Sequence, residues 1–314
     1  MHDSIDRRTF FRTTTKLGAG AALASTLLSK PTARAQGGGP AAGGANRGII
    51  FKAVKLGMVQ IDGSLADKFQ LLKDVGFDGV ELDSPGGVDK QEARAASQSV
   101  GLPIHGVVDG IHWNIRLSDP DPAIRVKGQV GLRVAISDAH CVGGSAVLLV
   151  PGKVTDPVRE NQQQVWQRSI EQIRLAIPWA ARHGVRILIE NVWNGFCYRH
   201  DGPADQTADQ LAAYLDEIGS PWVGSYFDIG NHQKYGQPAQ WIRTLGRRIV
   251  KLDVKGFARP DRFCDIGDGD IDWPDVRRAL REIGFTGWAT AEVGGGDRKR
   301  LEQIARQMDR VLDL

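Results

Sequence analysis

Cysteine and long apolar segments are both scarce in this chain of 314 residues. The three cysteines, Cys141, Cys197 and Cys264, form no CxxC motif, and an odd number cannot all pair with one another. We therefore expect no disulfide framework and regard the three as packing thiols. No apolar run reaches the roughly 18 residues that a transmembrane helix needs, so we expect no membrane span in the mature chain.

A basic surface is also missing, although the formal net charge is +3. The first 35 residues hold six of the 40 Lys and Arg and two of the 37 Asp and Glu, which leaves 34 basic and 35 acidic residues in the rest of the chain. The rest of the chain is therefore nearly neutral. Because a nucleic-acid-binding face needs clustered basic residues, nucleic acid is not an expected partner.

The amino-terminal segment has the pattern of an export signal. RRTFFR (7–12) resembles a twin-arginine (Tat) signal, a weakly apolar stretch (17–28) follows it, and ARA (33–35) is a small-x-small cleavage site. We therefore predict a twin-arginine signal peptide over residues 1–35 and a Gly/Ala-rich linker over residues 36–51. The expected location of the mature protein is periplasmic or extracellular.

From Lys52 onward, short apolar runs alternate with amphipathic stretches. Near-continuous apolar and β-branched character is typical of parallel strands covered on both faces. Eight strand–helix repeats predict one (β/α)8 TIM barrel over residues 52–314. A doubly wound sheet is disfavoured because no Gly-rich phosphate turn follows the first strand. The predicted strands are 54–59, 79–83, 102–108, 145–150, 185–190, 223–228, 249–254 and 288–293.

Four acids stand at the ends of four consecutive predicted strands. Glu190, Asp228, Asp253 and Glu292 each interrupt an otherwise apolar run. Barrel enzymes work at the carboxyl ends of their strands, so these acids are expected at one site. Burying several carboxylates together is costly unless a cation compensates them, and a divalent metal ion is the usual compensation. Separate salt bridges to rim lysines and arginines are the structural alternative.

Several segments resemble one known family. IENVWN (189–194) and the stretches 112–125, 220–236, 241–257 and 268–292 are similar to the sugar phosphate isomerase/epimerase family of xylose isomerase-like TIM barrels. That family includes tagatose 3-epimerase-like and hydroxypyruvate isomerase-like members. The resemblance extends roughly from the first barrel strand to the carboxyl terminus.

The resemblance implies a metal site with one departure from the family pattern. Family members bind Mn²⁺, Mg²⁺ or Co²⁺ with Glu, Asp, His and Glu, and Glu190, Asp228 and Glu292 match three of these ligands. The third ligand is Asp253 instead of histidine. An all-oxygen site favours Mn²⁺ or Mg²⁺ over softer ions, but four carboxylates on one divalent ion leave a net charge of about −2. Alternatively, Asp253 pairs with Lys255 or an arginine and the metal is lost.

The same resemblance implies proton transfer by two glutamates. Glu190 and Glu292 would lie on opposite sides of the sugar, where one removes a proton next to a carbonyl and the other returns it through an enediolate. Histidines and Lys255 could bind hydroxyls or hold an oxyanion, and the two tryptophans could cover a sugar face; a purely structural role stays open for each. The candidate substrate-binding residues are His105, His112, Trp113, Trp193, Asn231, His232 and Lys255.

Export and family resemblance together predict the function. Sugar phosphates are scarce outside the cytoplasm, so we expect a metal-dependent isomerase or epimerase of an unphosphorylated sugar. Two alternatives stay open: a 3-keto-glycoside lyase or hydrolase with the same enolising groups, and a non-catalytic carbohydrate-binding barrel. An endonuclease IV-like role is disfavoured by the charge, the export signal and the few histidines among the candidate ligands. The sequence leaves a homo-oligomer open.

Overall fold

A computed structural model describes residues 44–314, which contain ten strands and eight α-helices. The predicted signal peptide and the first half of the predicted linker, residues 36–43, lie outside the described residues. The strands are β1 (Ile50–Lys55), β2 (Gly79–Ser84), β3 (Ile104–Asp109), β4 (Ala146–Leu149), β5 (Arg186–Glu190), β6 (Val223–Asp228), β7 (Ile249–Val254), β8 (Gly256–Ala258), β9 (Arg262–Cys264) and β10 (Gly287–Ala291). The helices are α1 (Leu65–Asp74), α2 (Lys90–Val100), α3 (Pro122–Cys141), α4 (Gln162–His183), α5 (Asp209–Ile218), α6 (Pro238–Leu245), α7 (Trp273–Glu282) and α8 (Arg298–Leu312).

Eight of the strands form a closed parallel barrel. Their order around the barrel is β1–β10–β7–β6–β5–β4–β3–β2, so that β1 closes the barrel against β10. The strands β8 and β9 pair only with each other, as an antiparallel hairpin after β7. The structure therefore confirms the predicted (β/α)8 TIM barrel.

The first strand lies earlier in the chain than the sequence pattern predicts. Strand β1 covers residues 50–55 instead of 54–59, and residues 56–58 form a 3₁₀ turn. The Asn46 side chain donates a hydrogen bond of 2.7 Å to the carbonyl oxygen of Leu312 and fixes the start of the barrel against the end of α8. This shift makes Lys55 the carboxyl-terminal residue of its strand, which is the end where barrel enzymes carry their site.

Glycine residues end several of the helices. Gly101, Gly184 and Gly219 adopt the left-handed conformation at the ends of α2, α4 and α5, where a side chain would be strained. The Asp272 side chain caps α7, with Pro274 in the first turn. The three cysteines are all unpaired, and none of the helices within residues 44–314 is long and apolar enough to cross a membrane.

A chain of buried polar groups crosses the interior of the barrel. The Tyr226 hydroxyl donates to Glu81 Oε1 at 3.0 Å and lies 2.7 Å from Thr290 Oγ1. Thr290 Oγ1 is 3.2 Å from His105 Nε2, and Lys251 Nζ lies 2.8 Å from His105 Nδ1. Burial lowers the pKa of Lys251 to about 8 although Glu81 raises it. The ammonium of Lys251 therefore helps to balance the charge of Glu81 inside the barrel.

The Lys251→Met variant should be less stable by about 1 kcal/mol or more, because the buried Glu81 would lose the favourable charge of a cation that acts on it from beyond ion-pair distance. The Lys251→Met/Glu81→Gln double variant should recover most of this loss. Urea unfolding of the wild type, both single variants and the double variant measures the coupling. Losses that simply add would show that the two residues do not compensate each other.

Candidate metal centre

Four carboxylates meet at the carboxyl ends of four adjacent strands. Glu190 ends β5, Asp228 ends β6, Asp253 is the penultimate residue of β7, and Glu292 directly follows β10. One oxygen from each residue lies within 4.8 Å of the corresponding oxygens of the other three. Asp228 and Asp253 are fully buried. The structure thus brings together the four acids that the sequence predicts as metal ligands.

Two lysines enter this cluster from opposite sides. Lys255 Nζ lies 3.1 Å from Asp228 Oδ2 and also contacts Glu292 Oε2. Lys55 Nζ lies 3.0 Å from Asp253 Oδ2 and 2.6 Å from Glu292 Oε1. The partner of Asp253 is therefore Lys55, and not Lys255 or an arginine as the alternative prediction has it. Lys55 reaches the cluster because β1 closes the barrel beside β10.

Three oxygens of the cluster have no hydrogen-bond donor among the described residues. They are Asp228 Oδ2, Asp253 Oδ1 and Glu292 Oε2. The Lys255 ammonium contacts the first and third of these oxygens as an ion pair, so that Asp253 Oδ1 is the one left without a donor or a cation among the described residues. A buried acceptor without a donor is costly, and closely spaced carboxylate oxygens are the ligands that hard divalent cations prefer. The residues present therefore fit a divalent metal ion such as Mn²⁺ or Mg²⁺.

The charges of the cluster also fit such an ion. With all four carboxylates ionised, as metal ligands must be, the carboxylates and the two ammonium groups carry a net charge of about −2, which one divalent cation balances. Lys55 and Lys255 thus remove the excess negative charge that the sequence pattern predicts for a metal-bound site. Lys55 is not among the residues that the sequence pattern marks for this site.

The electrostatic surroundings give the two candidate catalytic glutamates, Glu190 and Glu292, different pKa values. Burial raises the pKa of Glu190 well above its usual value, and the charges of Glu292 and Asp253 raise it further. Burial also raises the pKa of Glu292, but the ammonium groups of Lys55 and Lys255 outweigh burial and hold that pKa below its usual value. Two carboxyl groups with separated pKa values suit a division into proton donor and proton acceptor.

Asn231 holds the cluster in place. Its backbone N–H donates to Asp228 Oδ1 at 2.6 Å, and its Nδ2 donates to Glu190 Oε1 at 3.3 Å. Its Oδ1 accepts from Lys255 Nζ at 3.1 Å. The Asn191 side chain exchanges two further hydrogen bonds with the backbone of Asp228. Because the backbone N–H and both side-chain polar atoms of Asn231 form hydrogen bonds within the protein, Asn231 supports the carboxylates and contacts two of them.

The three candidate histidines occupy different environments. His112 is buried, its Nδ1 accepts from the Val150 N–H at 3.2 Å, and burial together with the nearby Lys55 charge lowers its pKa to about 3. His112 is therefore neutral and carries its proton on Nε2.

His105 belongs to the interior network and stacks on Trp288 at 4.8 Å. His232 donates from Nε2 to a backbone carbonyl at 3.3 Å and packs against Trp241, on the α6 side. The Lys55 charge lowers the pKa of both His105 and His112, whereas Glu292 acts on the pKa of His112 alone among the three histidines.

Exposed aromatic rings flank the cluster. Trp113 is 43% exposed and packs edge-on against His112, while Phe263 in the β8–β9 hairpin is 45% exposed. Lys255 Nζ lies 4.9 Å from the centre of the Phe263 ring. Trp193 donates its indole N–H to the carbonyl oxygen of Asn231 and packs on Phe263 at 5.0 Å. Phe263 reaches the site from the β8–β9 hairpin, and the sequence pattern does not predict it because these two strands have only three residues each.

An open groove adjoins Trp193 on the loops that follow β4 and β5. Its volume is about 560 Å³. The lining residues are polar, basic and aromatic, which suits a molecule with several hydroxyl groups. They are Lys153, Val154, Gln162, Trp193, Asn194, Gly195, Tyr198, Arg199 and His200.

Comparison with solved structures finds the same architecture in sugar epimerases. 3-Keto-D-glucoside 4-epimerase from E. coli superimposes with a TM-score of 0.67 at 16% identity, over 83% of this chain and 98% of that chain. D-Allulose 3-epimerase from Methylomonas sp. gives a TM-score of 0.66 at 18% identity, over 84% of this chain and 98% of that chain. At these identities the likeness shows the fold.

Comparison of sequences identifies the family of the chain. An uncharacterised protein of Methanocaldococcus jannaschii is 26% identical over 167 residues, and the match covers 51% of this chain and 55% of that protein. The chain thus spans about half the length of this curated relative. The family model for the xylose isomerase-like TIM barrel matches residues 69–313, which is most of the chain. The chain therefore belongs to the xylose isomerase-like TIM barrel family.

Proposed function

We propose that the protein is a metal-dependent isomerase or epimerase of an unphosphorylated sugar. The observation that carries the proposal is the cluster of four carboxylates, three of them buried, in which Asp253 Oδ1 has neither a donor nor a cation beside it among the described residues. The names of the two epimerases with the same architecture support the same class of reaction. The ligands would be Glu190, Asp228, Asp253 and Glu292, with Mn²⁺ or Mg²⁺ favoured and Co²⁺ as a further candidate.

Proton transfer would be divided between Glu190 and Glu292. A bound divalent ion would polarise the carbonyl of the sugar and make the adjacent C–H more acidic. Glu292, held ionised by two lysines, would take that proton, and Glu190 would return one to the same carbon from the other side. Return to the opposite face inverts the carbon and gives an epimer, whereas return to the neighbouring carbon gives an isomer.

Other residues around the cluster would bind and orient the sugar. His112 would donate its Nε2–H to a substrate oxygen, since its other ring nitrogen is occupied by the Val150 N–H. Trp113, Phe263 and Trp193 would cover the apolar face of the ring. Asn231 would hold the side chains of Glu190 and Asp228 in position beside Lys255.

A 3-keto-glycoside lyase or hydrolase is the second candidate function. The groove beside Trp193 offers about 560 Å³ outside the carboxylate cluster, which is room for an aglycone or a second sugar. One of the structural neighbours is named for activity on a 3-keto-glucoside. Removal of the proton at C2 by the same glutamate would expel the aglycone from C1, so both candidates use one enolising step.

The proposed location is outside the cytoplasm, after export by the twin-arginine route. The proposal rests on Arg7, Arg8 and the ARA segment that ends at Ala35. An Arg7→Lys/Arg8→Lys variant should remain as full-length precursor in the cytoplasm, whereas the wild type should be cleaved after Ala35. Cell fractionation with amino-terminal sequencing measures both. A wild-type chain that keeps Met1 in the cytoplasmic fraction would contradict the proposal.

The function predicts metal-dependent exchange of a sugar C–H with solvent. With Mn²⁺ in D₂O, the purified protein should incorporate deuterium into a free ketose or a 3-keto-glycoside, as followed by NMR. EDTA, Glu190→Gln or Glu292→Gln should each slow the exchange by about a hundredfold or more, because each removes the metal or a proton-transfer group. The surface variant Glu302→Gln on α8 is the matched control and should exchange at the wild-type rate.

The products of the same experiment separate the candidates. Epimerised or isomerised ketose supports the first function, and release of an aglycone without epimerisation supports the second. Absence of exchange on every sugar, combined with sugar binding that survives EDTA and Glu190→Gln, would refute both enzyme functions and leave a carbohydrate-binding barrel.

A further inference from the structure

Lys55 closes the carboxylate cluster on the side of β1. Its side chain is 20% exposed, and its ammonium lies 3.0 Å from Asp253 Oδ2 and 2.6 Å from Glu292 Oε1. Asp253 is fully buried, and within residues 44–314 Lys55 is the one cation within ion-pair distance of it. The other oxygen of Asp253, Oδ1, has no donor there. One side of this carboxylate thus faces the chain's own cation, while the other is free for a ligand.

The charge balance gives Lys55 a definite role. Lys255 already contacts Asp228 and Glu292, so Lys255 and a divalent ion together would still leave the four carboxylates with an excess charge of about −1. Lys55 removes that excess. Lys55 matters more in the metal-free protein than in the metal-bound protein, because without Lys55 the fully buried Asp253 would have no adjacent cation among the described residues.

We infer that Lys55 is a positioning residue: its ammonium pairs with the buried Asp253 carboxyl group before metal loading, and a metal ion must bind beside that positive charge. This inference rests on the proposed metal-dependent function. Removing the ammonium should have two opposite effects. The metal-free protein should become less stable, because Asp253 loses its partner, and the metal should bind more tightly, because a positive charge beside it has gone.

The test is a double-mutant cycle of Lys55→Met and Asp253→Asn, followed by melting temperature without metal and by calorimetric titration with Mn²⁺ alone. Lys55→Met should lower the melting temperature by roughly 5 °C or more. The same change in the Asp253→Asn background should cost less than about half as much. The Kd for Mn²⁺ should fall by roughly tenfold or more in Lys55→Met, rise in Asp253→Asn, and return near the wild-type value in the double variant.

Lys52→Met is the matched control, because Lys52 lies on the same strand and pairs with Asp309 at the other end of the barrel. It should lower the melting temperature but leave the Kd for Mn²⁺ unchanged, as a merely structural lysine would. If Lys55→Met gives no folded protein, Lys55→Gln repeats the test with a side chain that still donates to Asp253.

The outcomes separate this inference from the proposed function. A wild-type protein that binds no Mn²⁺ overturns the metal-dependent function, and the melting temperatures then decide whether Lys55 and Asp253 are coupled. If the wild type binds Mn²⁺ but Lys55→Met binds it no more tightly, or if the two substitutions act additively on the melting temperature, the inference on Lys55 is overturned and the proposed function stands.

Discussion

The close approach of four carboxylates, three of them buried, at one end of the barrel is the constraint on which the rest of the site depends. Like charges within 4.8 Å of one another in a low-dielectric interior repel strongly unless cations lie among them. Two lysines supply half of the compensation, and a divalent ion would supply the remainder. The hydrogen bonds of Asn231 and Asn191, the separated pKa values of Glu190 and Glu292 and the unsatisfied oxygens of the cluster all follow from this arrangement.

The closed topology determines which residues can take part. In an open sheet the first strand would lie at an edge, but here β1 pairs with β10, so Lys55 comes to lie beside Glu292 although 237 positions separate them in sequence. The polar network in the barrel interior also depends on closure, since Glu81, His105 and Lys251 come from three different strands that face one another inside the barrel. Barrel closure therefore brings charged residues that are distant in sequence close together, so that their charges balance.

Much of the fold and the acidic part of the site could be predicted from the sequence. The strand and helix periodicities, the capping glycines and the acids that interrupt apolar runs are local signals, and residues 223–228 and 249–254 match β6 and β7 to the residue. Lys55 could not be assigned because a strand placed at 54–59 makes it an interior position. The sequence signal for its true position is the apolar run that begins at Ile49, the first residues of which the prediction assigns to the Gly/Ala-rich linker.

Side-chain contacts were harder to predict than positions along the chain. Asn231 and His232 are neighbours after β6, yet one supports the carboxylates and the other packs against Trp241, because the turn sends them in different directions. Phe263 comes from a hairpin of two three-residue strands, which are too short for a period of two to be recognised. Such contacts depend on loop geometry, which composition and periodicity do not encode.

The most direct test of this account is anomalous X-ray diffraction, at the manganese edge, from crystals of the mature protein equilibrated with Mn²⁺. We expect one strong peak at about 2.0 to 2.5 Å from oxygens of Glu190, Asp228, Asp253 and Glu292, with Lys55 and Lys255 still beside the carboxylates. A map with no peak at this cluster, or with the two ammonium groups occupying the space between the carboxylates in the presence of saturating Mn²⁺, would contradict it.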